Sequence, residues 1–402
     1  MGNKTLAIIM ITSFVIALTA SPLSLSAPVG IPILIDLSHK QPSMGVDVII
    51  KMVPEAQWYV LVSSKDAADA LPATIKENSV VLVGDFSTVD LEKLGIVMVI
   101  FGQPQTTLKP EEITALAKWF LTDSGRTLWV SADSDYPAQG GEQSQHVANA
   151  ILEAVGAHLR MDYTAAYDSL SNAGGATYRV LAFVNVSEIP VLRYGCDRVL
   201  FHGPGPVAWV DDAGKWHKLL PTEKPKNTFI IASTSSESEI VENQAEPQGT
   251  TAKVYKPGDR GSFVLMAAEY IPVKNASNIV ILSGETPYGG YQPGATWSYY
   301  GIRISGPRFV RNVILWATGY MGELKEYEKL AKLPEEILTR VETLSKEISS
   351  RVETLSRDLT NRVDSAIAGV SSTLNLALGL AAIALILAIV ALALSFRKPK
   401  SG

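Results

Sequence analysis

The chain has 402 residues, with 35 Lys and Arg against 40 Asp and Glu, a formal charge of −5 and a single cysteine, Cys196. That acidic balance, without a basic patch interleaved with aromatics, excludes a nucleic-acid binder. One cysteine excludes an intrachain disulfide framework, and a bridge-free exported domain of this size fits an archaeal surface protein better than a eukaryotic secreted one.

Residues 1–27 read as a secretory signal peptide: Lys4, an apolar run from Leu6 to Ala20, then the small residues Ser24, Ser26 and Ala27 before Pro28. The head is expected over 28–322. Continuous apolar runs at 31–37, 58–62, 80–83, 96–101 and 127–131 predict strands apolar on both faces, as in a parallel sheet covered by helices. Between the last two, 109–122 predicts a helix with Pro110 in its first turn and Glu111 and Glu112 at its positive end. A second helix is expected over 145–159, ending near Gly156. This alternation is a doubly wound α/β pattern.

From about 160 to 275 the chain turns strand-rich, as an insertion or a subdomain. Strands are expected at 180–184, 199–201, 207–210, 228–232 and 262–268, with a hairpin turn from Val210 to Trp216. The polar stretch 237–256 predicts an exposed loop. A strand at 278–282 and a helix at 307–318 are expected to return the chain to the first sheet.

An eleven-residue repeat then begins at Thr339 and recurs at Ser350 and Asn361. Its apolar positions, Val341, Leu344, Ile348, Val352, Leu355, Leu359, Val363 and Ile367, are spaced three or four apart and share one helix face. Glu342, Glu347, Glu353 and Asp358 each precede a basic residue by four, the favourable order, worth roughly 0.2–0.5 kcal/mol per pair. The narrow seam calls for a partner, and a homo-oligomeric coiled-coil stalk is expected over 323–373, its long helix starting at Pro334. Residues 374–396 contain no charge and are long enough to span a bilayer. Arg397, Lys398 and Lys400 mark the tail, 397–402, as cytoplasmic. The expected fold class is therefore α/β: a doubly wound, mostly parallel sheet with a strand-rich second half, then a long coiled-coil helix and one transmembrane helix.

Ile33-Leu-Ile-Asp-Leu-Ser-His39 resembles the opening strand of class I glutamine-amidotransferase-like domains in their non-catalytic branch. Phe101-Gly-Gln-Pro104, the helix from Leu108 to Phe120 and Gly125-Arg-Thr-Leu-Trp-Val-Ser-Ala-Asp133 are similar to that branch's strand, helix and glycine-led strand. Val280 to Gly284 with Phe309 to Trp316 is similar to its closing strand and helix. The resemblance spans Ile31 to about Gly322. It implies kinship with auxiliary proteins of gliding-type ABC transport systems and with the amidotransferase-like subunit of eukaryotic oligosaccharyltransferase.

A working amidotransferase needs a cysteine on a strand-to-helix elbow, activated by histidine. The matching segment, Trp129-Val-Ser-Ala-Asp-Ser-Asp135, has none, and Cys196 reads as a packed loop residue. Asp36 and His39 end the first strand and Asp133 and Asp135 the fifth, the edge where open α/β sheets bind ligands. They are candidates for one crevice, although such residues also cap helices and hold loops. They show no metal-ligand spacing, and no cofactor motif accompanies them. His202-Gly-Pro-Gly-Pro206 is a stiff loop with a strand, not a helix, after it, which argues against phosphate cradling. Tyr288, Tyr291, Trp297, Tyr299 and Tyr300 crowd a glycine-rich loop and are candidates for binding a sugar or a protein partner. Asn185 and Asn275 head glycosylation sequons.

The expected function is a non-enzymatic, single-pass cell-membrane protein that displays a ligand- or partner-binding head outside the cell on an oligomeric stalk. Its partners are the membrane, its own copies, and an envelope protein, transporter or glycan. The alternatives are an accessory subunit of an ABC transport or glycan-transfer complex, and a hydrolase using Asp and His at the sheet edge.

Overall fold

A computed structural model describes residues 30–139, 141–185, 188–244 and 249–395. The expected signal peptide, 1–27, and the basic tail, 397–402, lie outside the described residues. The chain divides into two compact units, Met1–Glu328 and Lys329–Gly402.

The first unit opens with β1 (Ile31–Asp36), α1 (Val46–Met52), β2 (Ala56–Val62), α2 (Lys65–Asp69), α3 (Ala73–Asn78), β3 (Val80–Val83), β4 (Met98–Phe101), α4 (Pro110–Thr122), β5 (Thr127–Ser131) and α5 (Gln143–Ala154). Eleven strands follow: β6 (Leu159–Met161), β7 (Ala165–Asp168), β8 (Arg179–Val184), β9 (Arg198–His202), β10 (Val207–Val210), β11 (Trp216–Lys218), β12 (Thr228–Ser233), β13 (Ser238–Val241), β14 (Arg260–Gly261), β15 (Val264–Val273) and β16 (Ala276–Ser283). The hairpin of β17 (Ser298–Tyr299) and β18 (Ile302–Arg303) leads to α6 (Gly306–Ala317), and α7 (Leu324–Ser395) ends the described chain.

Ten strands make one sheet in the order β3-β2-β1-β4-β5-β16-β15-β12-β8-β9. Along each central strand the side chains alternate between two cores, as the two-residue strand period requires. Ile33 and Ile35 of β1, Met98 and Ile100 of β4, Trp129 of β5 and Ile281 of β16 pack with α1 and α6. Leu34, Val99, Phe101, Leu128, Val130, Val280 and Leu282 pack on the opposite side with α4 and α5. This two-sided burial is why these strands are continuous apolar runs in sequence.

The sheet is mixed. Five of its nine pairings are parallel, including β16 against β5. The other four, from β16 outward, are antiparallel. The reason is connection length. β15 and β16 are joined by only Lys274 and Asn275, and so short a turn permits an antiparallel pair alone. The strand-rich stretch thus extends the first sheet, with two three-stranded sheets, β11-β10-β6 and β14-β13-β7, beside it.

Three expected boundaries move. The helix expected over 145–159 stops at Ala154; Gly156 takes φ +72° and Leu159 already belongs to β6. The expected exposed loop 237–256 contains β13 and the buried Tyr255, 1% exposed. Pro334 does not start the long helix but lies inside it, ten residues after Leu324. Proline there leaves the Leu330 carbonyl without its usual backbone donor.

In the second unit the seam residues Val341, Leu344, Ile348, Val352, Leu355, Leu359, Val363 and Ile367 are all exposed, between 48% and 68%. Arg357 approaches Glu353 at 3.7 Å one turn away. Helix α7 contains a stretch long and apolar enough to cross a membrane, and none of that stretch is buried.

Candidate functional site

At the end of β1 the chain closes a buried polar knot. Asp36 Oδ1 accepts from the Ser38 backbone N–H at 2.9 Å and from its hydroxyl at 2.6 Å. Asp36 Oδ2 meets His39 Nδ1 at 2.8 Å and accepts from Gln41 Nε2 at 2.5 Å. His39 Nε2 lies 3.1 Å from Glu112 Oε1, while Glu112 Oε2 caps α4 by accepting from the Lys109 N–H at 2.9 Å. Burial works against protonation of His39, but the bonds and charges of Asp36 and Glu112 outweigh it and hold the imidazole above its ordinary value. Asp36, His39 and Glu112 are all buried. The His39 ring between the Asp36 and Glu112 carboxyls ties β1 to α4.

Tyr288 seals the same knot from the far end of the chain. It is fully buried, and its hydroxyl sits 2.7 Å from the Asp36 carbonyl and 2.9 Å from the Ile100 carbonyl. It is therefore a core pillar and not part of an exposed aromatic surface. The rest of its loop does reach the surface: Tyr291, Trp297 and Tyr300 are 61%, 66% and 59% exposed. Tyr300 and Gly301, at φ +48° and +75°, form the two-residue turn of the β17–β18 hairpin, where both central positions need positive φ.

At the end of β5, Asp133 and Asp135 have different jobs. Asp135 pins a distant loop by accepting from the Asn243 N–H at 2.6 Å, Asn243 Nδ2 at 2.8 Å and the Gln244 N–H at 2.9 Å. Asp133 accepts from Gln103 Nε2 at 3.0 Å. Glu285, just past β16, accepts from the His202 N–H at 2.5 Å and the Thr286 N–H at 2.8 Å. Burial pushes the Asp133 carboxyl up to about 8, and raises Glu285 well above its ordinary range with the Asp133 charge adding to it. The two carboxyls are therefore easier to protonate in the fold than in the unfolded chain. That stabilisation is complete below about pH 4 and is lost as pH rises to about 8. Thermal melting is expected to occur at lower temperature at pH 8 than at pH 5. Asp133→Asn, neutral at every pH, should shrink that difference; an unchanged slope would show that Asp133 does not titrate in this window.

The loop from His202 to Pro206 crosses this sheet edge. Gly205 N–H donates to the Gly284 carbonyl at 3.3 Å, and Ala166 N–H donates to the Pro204 carbonyl at 2.8 Å. The loop's near end forms one wall of a cavity of about 450 Å³, lined by Ser134, Tyr136, Ala138, Tyr167, Tyr178, Arg179, His202, Gly203, Tyr291 and Tyr299. Rings of Tyr178, Tyr291 and Tyr299 surround His202 at 5.5, 5.1 and 5.9 Å between centroids. The Arg179 guanidinium lies 3.8 Å over the Tyr300 ring and 5.1 Å over Tyr178. Burial and the Arg179 charge lower His202 to about 4, so it is neutral at neutral pH. Ser134 Oγ, Arg179 Nε and His202 Nδ1 are buried without a hydrogen-bond partner.

Of the residues singled out in sequence, Tyr291 and Tyr299 line this cavity and Tyr300 stacks on its arginine. Trp297 is exposed outside the lining, and Asp36 and His39 belong to the separate knot. Arg179, Tyr178, Tyr167 and Tyr136 carried no sequence signal, because they come from separate connections with no shared period. Cys196 is buried, its thiol donating to the Leu192 carbonyl at 2.8 Å, and burial pushes it up to about 12. It is a packing residue with no thiolate to offer at neutral pH. Asn275 is exposed in the β15–β16 turn, whereas Asn185 is half-buried and its N–H donates to the Ile231 carbonyl at 2.8 Å. No group of three metal-ligating side chains is found among the described residues.

No family model matches the chain, and no curated protein does. A solved structure described as "mmIFT52 N-terminal domain" is similar at TM-score 0.42 and 12% identity, covering 71% of this chain and 97% of that one. A likeness at that level carries no argument here.

Proposed function

We propose that this is a non-enzymatic membrane protein that displays a ligand-binding, amidotransferase-like head outside the cell on a self-associating helix. The observation that carries the reading is the seam. Eight apolar residues of an eleven-residue repeat occupy one face of α7, all exposed in the single chain, and the same helix continues into an apolar stretch long enough for a bilayer. Exposed apolar faces of this length call for burial. Copies of the same seam match it in period, and the eleven-residue spacing favours a right-handed supercoil. Linked heads would then gain affinity through effective concentration.

A doubly wound head is supported by the parallel run β3-β2-β1-β4-β5-β16 and by helices that bury residues against both of its faces. A non-enzymatic head is supported by the fate of its carboxylates. Asp36, Asp135, Asp162 and Asp168 all accept backbone N–H groups inside the fold, so they act as staples.

Sedimentation of the full-length protein in detergent tests the assembly. The wild type should be oligomeric. Leu344→Asp with Leu355→Asp, equivalent positions of successive repeats, should yield monomers with an unchanged head. A wild type that stays monomeric at tens of micromolar would contradict self-association and favour the accessory-subunit alternative, in which foreign helices cover the seam.

A further inference from the structure

The cavity at the sheet edge lacks the aliphatic wall expected for an apolar ligand. Of its ten lining residues five are tyrosines, and Ala138 is the lone aliphatic side chain. Tyrosine offers a flat apolar face together with a hydroxyl, which suits a ring with one C–H face and polar edges. A pyranose has that form.

The charge of the cavity points further. Arg179 is held between tyrosine rings, and among the described residues no carboxylate pairs with it; its guanidinium donates to the Tyr178 hydroxyl at 3.1 Å. A guanidinium fork without a carboxylate is suited to an incoming anionic group. Among the described residues no acidic side chain lines the cavity. Beside the lining residue Ser134, burial pushes the Asp133 carboxyl up to about 8, so it opposes an anion less than an ordinary carboxylate would.

Among the described residues, three buried polar atoms without partners belong to the cavity's lining: Ser134 Oγ, Arg179 Nε and His202 Nδ1. Ser134 and His202 are 1% and 8% exposed. A buried unpaired polar group is costly, and native folds rarely leave several together without a partner to come.

We propose that this cavity binds a sugar residue carrying an anionic substituent, with its ring against Tyr178, Tyr291 and Tyr299 and its charge on Arg179. The proposal rests on the reading of the head as a ligand-binding module and supplies the ligand class. Ser134 and His202 add neutral hydrogen-bonding capacity at the wall next to the arginine. Tyr291, being largely exposed, closes the rim.

Calorimetric titration of the full-length protein in detergent tests it, using galacturonate oligosaccharides, sulfated galactose oligosaccharides and neutral galactose oligosaccharides of equal length. At least one charged series should bind, with the neutral series weaker by about ten- to a hundredfold, the scale of one charge-assisted hydrogen bond. Whether the carboxylated or the sulfated series binds assigns the substituent. Arg179→Gln should remove that preference. Tyr291→Ala, at a site too exposed to endanger the fold, should weaken binding roughly three- to tenfold. Equal binding of neutral and charged series, no binding by any series, or an Arg179→Gln variant that keeps the preference would overturn the proposal. Sedimentation of the same samples separates the two readings. Binding by a monomer would sink the display reading and keep this one, and assembly without binding would do the reverse.

Discussion

Asp162→Ala is expected to lower stability by roughly 3–5 kcal/mol, among the largest effects of any single change in the head. The Asp162 side chain is fully buried between α5 and the 253–255 segment. Its Oδ1 accepts from the Tyr163 N–H at 2.9 Å and the Lys253 N–H at 2.7 Å. Its Oδ2 accepts from the Val254 N–H at 3.0 Å and the Tyr255 N–H at 2.8 Å. Alanine would orphan four donors at once. The Tyr163 and Tyr255 N–H groups are buried, and a buried orphan costs about 1–3 kcal/mol. Those of Lys253 and Val254 are partly open to water and should cost less. The loss spreads further, because the buried Tyr255 hydroxyl donates to the Val207 carbonyl at 2.8 Å and holds β10. Denaturant unfolding should show a lower midpoint with the segment around Tyr255 exchanging its amide protons early. A midpoint like that of the wild type would mean the 253–255 loop is held by something else.

Gly284→Ala is expected to cost about 3 kcal/mol or more, for a steric reason. A Cβ at Gly284 would collide with the Gly205 carbonyl oxygen and stand 3.0 Å from its carbonyl carbon. The obstacle is backbone, so no rotamer change relieves it, and overpacking of that kind reaches the upper end of the usual 1–3 kcal/mol, roughly. The two strands of backbone are also tied by the Gly205 N–H to the Gly284 carbonyl. Alanine would force the His202–Pro206 loop off the sheet edge, and with it the His202 and Gly203 wall of the cavity. The variant should therefore melt several degrees lower and, where still folded, lose ligand binding as well. Unimpaired melting would show that the loop does not pass this closely over β16.

The parts that were legible in sequence are those set by local period. Continuous apolar runs marked β1, β2, β4 and β5 because each buries residues on both faces, and marked the edge strand β3 as well although Val80 and Val83 are exposed; the eleven-residue repeat marked α7 because its apolar positions recur along one helix. Long-range features were not legible. The mixed sheet follows from how β15 returns to β16, and the alternation of apolar residues does not say which neighbour a strand will pair with. Pro334 reads as a helix start by propensity, yet the helix already runs from Leu324 and carries the proline inside. Tyr288 sits among exposed aromatics in sequence, but its hydroxyl serves carbonyls on β1 and β4, more than 180 residues away. The cavity is assembled from Ser134, Arg179, His202 and Tyr291, which share no spacing, so only the folded sheet edge brings them together.

Cross-linking of the full-length protein in its membrane, followed by mass spectrometry of the linked peptides, tests the central claim most directly. The account predicts abundant links between copies at Lys346 and its neighbours on α7, lost when Leu344 and Leu355 are replaced by aspartate. Links from Lys346 confined to a different membrane protein, with none between copies, would contradict it and identify the helix as a docking element of a larger complex.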